Sequence, residues 1–455
     1  HRTRALCLQA LEISRRLGEE REMGFAYNVL GLASFRQGDF SQAVDCHQKS
    51  LTIRERTGAV KETATSLINL GIAFNSMGDY PRAIQYYEKS LRINEEIGHL
   101  QGVAYALNNL ANVHYNRGDY SRAAEFYERS RKISERIGDQ RAAGDSLSAL
   151  GHVHYGQGDY SRALGYYEKS LEIAKRLGSE SRIATSLNNL GNSFLGRGEY
   201  SRAIGCFKES LKMKERVGSR HGKIASLLGL GVVYQYLRAF EEAEDCGVQA
   251  VAIAQELRAK RELAYVHKLL GDWARLQNEW GAAEARFRQA LHIFEELGDK
   301  SGICTALTGL AHLSSAEGRF DEAVEVSERA VGMAEELNSK ELSGEVCLVR
   351  GAIEKRKGNE ERALRWLRRA LGFAAEMPEL RWQIALAMGE IYERLGTISE
   401  ALDSYHMCIE ALKAIYGEIK DEDLRKSYLS DPERNKVFEH IRRLEKTLLI
   451  PTSSE

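Results

Sequence analysis

The sequence predicts an all-α solenoid, a stack of antiparallel helix pairs winding into a right-handed superhelix. Three observations predict it. A small residue recurs at Gly31, Gly71, Ala111, Gly151, Gly191, Gly231, Gly271, Ala311 and Gly351, each 40 residues after the last. An alanine follows each of them twelve residues later, from Ala43 to Ala363. The chain holds 40 glycines and only 4 prolines, which suits helices with glycine at their turns. A fixed period of this size means stacked repeats, and it overrides the several domains that 455 residues would suggest.

Taken in order, the elements begin with a lone helix from about Arg2 to Gly18. It reads as the second helix (B) of a unit whose first helix (A) is missing, so residues 1–20 form a partial leading repeat. The chain starts at His1 rather than Met, which predicts a piece of a longer protein. The apolar residues Leu6, Leu11 and Ile13 are then expected to be exposed and able to drive end-to-end contacts.

Residues 21–416 form ten units. In "ETATSLINLGIAFNS", from 62 to 76, Leu67, Leu70 and Phe74 share one helical stripe. "MGDY" ends that helix, with Gly78 free to take the left-handed cap conformation. Helix B begins at Tyr80–Pro81, where proline is tolerated in the first turn, and runs to about Ile97 before Gly98. A mid-helix glycine costs roughly 1 kcal/mol against alanine, so its recurrence requires close approach of a partner helix. The stripe Tyr87, Tyr127, Tyr167, Phe207, Phe287 and Tyr405 is expected to fill the space between neighbouring units. Gly247, Ala274 and Glu354 stand where aromatics are expected, which predicts looser packing there. The tenth pair, Gly389 and Ala401, follows a linker around Pro378 that is two residues short.

Residues 417–455 break the period and read as capping helices and a tail. Asp431 followed by Pro432 is a strong helix start. The stripe Val437, Ile441, Leu444 and Leu448 would cover the last unit.

The residues Leu70, Gly71, Phe74, Ala83, Tyr87 and Ser90, and again Leu190, Gly191, Phe194, Ala203, Phe207 and Ser210, resemble the tetratricopeptide repeat family. The match recurs in register over nearly the whole chain. The 40-residue unit exceeds the family's usual length of about 34 and resembles the long repeats of the mitotic adaptor LGN and of kinesin light chains. The tail "LRKSYLSDPE" resembles the segment closing such arrays in large bacterial signalling ATPases and kinases.

No catalytic constellation stands out: there is no P-loop, GxSxG, HExxH or metal-spaced Cys/His set. The expectation is therefore no enzyme, no cofactor and no metal. His152 and His154 point to different faces of a helix, and His114 and His154 fall at the aromatic packing position.

Binding is the better expectation. The resemblance implies that A helices line a concave surface, with the residues flanking the Leu-Gly pair facing a groove. Those positions hold Asn28, Asn69, Asn108, Asn109, Asn112, Asn188, Asn189 and Asn192, with Asn75, Tyr105, Tyr115 and Tyr155 as neighbours. Asparagine is a poor helix former, and its amide offers donors and an acceptor suited to a peptide backbone. In LGN-like repeats the Asn of "NLGN" plays this part, which Asn189 and Asn192, and Asn109 and Asn112, match. The competing reading is that these asparagines satisfy one another across a wet inner face. The carboxylate clamp for chaperone tails is excluded, because Asn28 and Tyr105 occupy its lysine positions.

Function therefore reads as a protein-interaction scaffold taking a protein or peptide partner in the groove. The alternative is a sensor or autoinhibitory arm of a signalling ATPase or kinase, touching domains upstream of His1. Lys plus Arg (64) against Asp plus Glu (65) leaves no global field for nucleic acid or an anionic membrane. No apolar run is long enough to span a bilayer. The cationic set Lys268, Arg275, Lys355, Arg356, Arg362, Arg365, Arg368 and Arg369 could attract an acidic partner or nucleic acid, or be a solvated face balanced by glutamates, which is the favoured reading. Seven scattered cysteines fit a reducing compartment, so the expected location is cytoplasmic.

Overall fold

A computed structural model describes residues 2–449, with side chains from 6 to 444; the side chain of Leu448 lies outside those described. Helix α1 is Arg2–Leu17. Pairs follow: α2 Glu20–Arg36 with α3 Phe40–Arg56, α4 Val60–Ser76 with α5 Tyr80–Glu96, and α6 Leu100–Asn116 with α7 Tyr120–Arg136. Next come α8 Gln140–Gly156 and α9 Tyr160–Arg176, then the pairs α10 Glu180–Gly196 with α11 Tyr200–Arg216 and α12 Arg220–Tyr236 with α13 Phe240–Glu256. Then α14 Lys260–Leu276 pairs with α15 Trp280–Leu297, α16 Lys300–Ala316 with α17 Phe320–Leu337, and α18 Lys340–Arg356 with α19 Glu360–Phe373. The last pair is α20 Pro378–Arg394 with α21 Ile398–Glu418, followed by α22 Glu422–Leu429 and α23 Pro432–Leu449. No strand occurs among the described residues, and the chain is an all-α solenoid.

The glycine and the aspartate of the Gly-Asp-Tyr turn each have a physical reason. The glycine takes a left-handed φ, +77° at Gly78 and +68° at Gly158, which ends the A helix. The aspartate caps the next helix: Asp39, Asp79, Asp119 and Asp159 accept backbone N–H groups of Gln42, Arg82, Arg122 and Arg162 at 3.0–3.3 Å. At four turns a side chain replaces the glycine and still holds positive φ: Arg238, Arg258, Asn278 and Asn338.

Mid-helix glycines admit the aromatic stripe. A Cβ on Gly191 would lie 2.7 Å from the Phe207 ring, and one on Gly229, in the following unit, 2.5 Å from the same ring. Phe287 sits likewise between Gly271 and Gly309. The aromatics therefore fill the junction between consecutive helix pairs. Ala274 and Glu354, where looser packing was expected, are each 3% exposed, and the Glu354 carboxylate lies 2.9 Å from Arg350. A salt bridge takes the place of ring packing at the second site.

Serines stitch the same junctions. Ser50, Ser90, Ser130 and Ser210 each donate to a backbone carbonyl of the A helix 26 residues earlier, at 2.7–2.9 Å. Ser50, Ser130 and Ser210 also lie within 3.3 Å of the next A helix's serines Ser66, Ser146 and Ser226. A small hydroxyl satisfies a buried carbonyl while letting helices approach.

The chain divides into two compact units, His1–Val153 and His154–Glu455. In the first, Leu11 is buried against Ala26, Leu30 and Cys46, so it is not part of an exposed face; Leu6 and Ile13 are exposed. Successive A helices touch in both units, α2 to α4 and α4 to α6 in one, α10 through α20 in the other. Within each unit the B helices α3, α5, α11, α13, α15, α17 and α19 are instead flanked by the A helices of their own and the next pair. The A helices therefore take the inner, tighter row.

In the second unit the capping helices pack back onto the repeats. Val437, Ile441 and Leu444 are buried in one core with Tyr200, Leu237, Tyr405 and Tyr428. Tyr200 donates to Glu379 at 2.7 Å, and Arg434 reaches the same carboxylate at 3.0 Å. Arg238 pairs with the helix-capping Asp431 at 2.6 Å.

Candidate functional site

The inner row carries two niches at the same place in the repeat. The first, of about 330 Å³, lies among the N-terminal halves of α4, α6 and α8 and is lined by Asn69, Asn94, Tyr105 and Asn108. The second, of about 460 Å³, lies among α10, α12 and α14 and is lined by Asn188, Asn189, Lys214, Arg261 and Tyr265. Adding 120, or three periods, to Thr65, Asn69, Asn94 and Gly102 gives Thr185, Asn189, Lys214 and Gly222, all of which line the second niche.

A glycine opens each niche. A Cβ on Gly102 would meet Asn94 at 2.0 Å, and one on Gly222 would meet Ser219 at 2.7 Å and the Lys214 stem at 3.3 Å. Through that gap a residue near the end of helix B reaches the inner face as a floor. Asn94 is 2% exposed and donates to the Ser90 carbonyl at 2.8 Å, while its Oδ1 lies 2.9 Å from His99 Nδ1. Lys214 is 7% exposed and donates to Ser226 Oγ at 3.0 Å and Asn188 Oδ1 at 3.4 Å. Burial pushes its ammonium down to a pKa of about 8.

The asparagines divide by what they touch. Asn69, Asn108, Asn188 and Asn189 line the niches. Asn69 donates to Asn28 at 2.8 Å, the mutual satisfaction that the competing reading expects. Asn109 donates to the carbonyl of Tyr105 in its own helix at 2.8 Å. Asn112 accepts from Tyr127 at 2.5 Å, so it orients a junction aromatic. The Oδ1 atoms of Asn75 and Asn108 are buried without a hydrogen-bond partner. Asn192 is half-buried in α10. Tyr115 packs on Tyr120 at 5.5 Å, and burial raises its hydroxyl pKa.

Tyr155 belongs to a different cluster in the second unit. Its ring meets Tyr160 at 5.1 Å, and both hydroxyls lie near the Glu341 carboxyl. Burial and then Glu345 push the Glu341 carboxyl up to about 7. Lys268 pairs with Asp272 at 2.8 Å; burial opposes its charge, but Asp272 and Glu345 hold its pKa above the ordinary value.

Several cations of the far half are already engaged. Lys355 pairs with Glu390, Arg369 with Glu335 at 2.5 Å, and Arg368 donates to Tyr392 at 3.0 Å. His114 is buried against Phe126 and 3.2 Å from Asp119, and His154 stacks on Tyr166 at 5.2 Å, both packing roles. Among the described residues no cluster of His, Cys, Asp or Glu is placed to hold a metal, and no helix is long and apolar enough to cross a membrane.

Asn94 and Lys214 were missed by reasoning on the Leu-Gly flanks. Their signal lies in the helix B register, where Arg54, Asn94, Ser134 and Lys214 interrupt a column that otherwise holds Ala174, Ala254, Phe294 and Ala334.

The tetratricopeptide repeat description matches residues 22–96, 62–136, 102–176, 143–216, 182–256, 223–296 and 306–341. No curated protein matches the sequence. Among solved structures, a Rap protein complexed with competence and sporulation factor is similar at a TM-score of 0.58 and 14% identity, covering 79% of this chain and all (100%) of that one. BtubC (BKLC) from P. vanneervenii is similar at a TM-score of 0.45 and 23% identity, covering 48% of this chain and 92% of that one.

Proposed function

The chain belongs to the tetratricopeptide repeat family, and from that premise we propose that it is a protein–protein interaction scaffold gripping an extended peptide segment along its inner helices. The observation that carries this reading is the pair of niches, each a polar recess on the inner row with asparagine at its wall. Asn108 brings a buried, unpartnered carbonyl oxygen to the first niche, and such an atom is costly unless something donates to it. Tyr105 is 52% exposed beside it and offers a flat apolar contact. Together they suit a peptide backbone N–H with a side chain lying across the ring. The similarity to a Rap protein solved with competence and sporulation factor supports the fold that this reading requires.

The test is selection of blocked nonapeptides from a random library, followed by titration of the best binder. Tyr105→Ala with Asn108→Ala is expected to weaken binding about tenfold or more, with helical circular dichroism and melting unchanged. Glu168→Ala with Lys175→Ala, on the exposed B-helix face, is expected to change nothing. Equal affinity in the niche variant would contradict the reading.

A further inference from the structure

We propose that the second niche holds a carboxylate, an Asp or Glu side chain of the segment lying along the inner helices, against the Lys214 ammonium. The inference rests on the reading of the inner row as a peptide groove and adds the chemistry that this groove selects.

Lys214 is more than nine-tenths buried, and among the described residues it has no carboxylate partner. Its two hydrogen-bond partners, Ser226 and Asn188, are neutral. An ammonium has three N–H donors, so a third is left for a ligand. A buried, unpaired charge is destabilising, and chains rarely keep one without a use.

The repeat supplies its own comparison. Arg54 occupies the same register position in the first unit and is equally buried. There a guanidinium N–H is taken by the Glu62 carbonyl at 2.8 Å, and the residue at the gap position is Glu62 itself. At Lys214 the gap position is Gly222, which leaves the recess open. Elsewhere in the column the chain uses Ala174, Ala254 and Ala334, so a cation is not needed to build the junction.

The rim favours one negative charge over two. Arg261 is held by Asp299 at 2.8 Å and His221 lies 3.1 Å from Glu262, so carboxylates already stand at the mouth. They would repel a phosphate dianion more than a single carboxylate. This is not the two-lysine clamp excluded from the sequence: the cation comes from helix B, through a glycine gap.

The first arm of the test uses the blocked nonapeptide library on the wild type, Lys214→Met and Lys214→Ala. The wild type should enrich Asp or Glu at one fixed position. Both variants should lose that preference about tenfold while keeping the preferences at other positions. Alanine at the equivalent repeat positions makes Lys214→Ala a variant that should fold. An unchanged acidic preference in the variants would overturn the proposal.

The second arm does not need a peptide to bind. The Lys214 side-chain resonances are followed by NMR during titration with N-acetylaspartate amide, N-acetylasparagine amide and inorganic phosphate. Saturable shifts with the aspartate compound alone are expected. Equal response to the asparagine compound, stronger response to phosphate, or no response would overturn the proposal. If the library yields no binder yet the aspartate shift appears, the peptide reading fails and the carboxylate site stands.

Discussion

Tyr155 shows how a residue picked from sequence can belong to a different piece of chemistry. Its hydroxyl and that of Tyr160 lie near Glu341, whose carboxyl is pushed up to about 7 by burial and by Glu345. The folded state therefore holds its proton more tightly than the unfolded chain, where a glutamate titrates near about 4.3. Stability from this group is greatest below that value and is lost as pH rises towards 7. Glu341→Gln keeps the size and shape of the side chain but removes the proton linkage. Its melting temperature should match the wild type at pH 4 and exceed it at pH 8. Thermal denaturation across that range checks this, and a variant that tracks the wild type at both ends would refute it. Lys214 is the opposite case at the same scale, a cation whose charge costs stability where it stands.

Among the elements, the helices, their caps and their glycine turns were legible because local rules fix them. Gly78 must take a positive φ, and Asp79 must cap a helix whose first N–H groups are free. The mid-helix glycines were legible as close approaches, and the structure gives them rings to approach. Gly71→Ala would put a Cβ 2.5 Å from the Tyr87 ring and should cost about 1–3 kcal/mol by overpacking. Gly165→Ala, in α9 with nothing within 4 Å, should instead stabilise by about 0.5–1 kcal/mol. Denaturant unfolding of the two variants separates a packing glycine from an idle one. The niches were only half legible. Asn69, Asn108, Asn188 and Asn189 stood out as poor helix formers, but Asn109 and Asn112 looked the same and turned out to serve their own helix and a junction tyrosine. Side-chain amides have many uses, and spacing along one helix does not say which carbonyl lies nearest. Asn94 and Lys214 escaped because their role depends on a glycine eight residues later, across a turn.

For the whole molecule, repetition supplies a scaffold and departures from it supply the chemistry. The serine bridges and aromatic wedges recur with little change, whereas the floor of the niche changes from Asn94 to Lys214 over three periods. A uniform solenoid would have no preferred register for a bound chain, and on the proposed reading these substitutions would give it one. The second unit adds a further departure, closing through Arg434, Glu379 and Tyr200 with the terminal helices as its clasp. The central claim is that a partner segment lies on the inner helices and passes over the niches. Photo-crosslinking with benzoylphenylalanine at Tyr105 and Leu228, against Lys89 and Lys169 on the outer helices, tests it with the best nonapeptide from the selection. Crosslinks at the two inner positions and none at the outer pair are predicted; crosslinks confined to Lys89 and Lys169 would contradict the account.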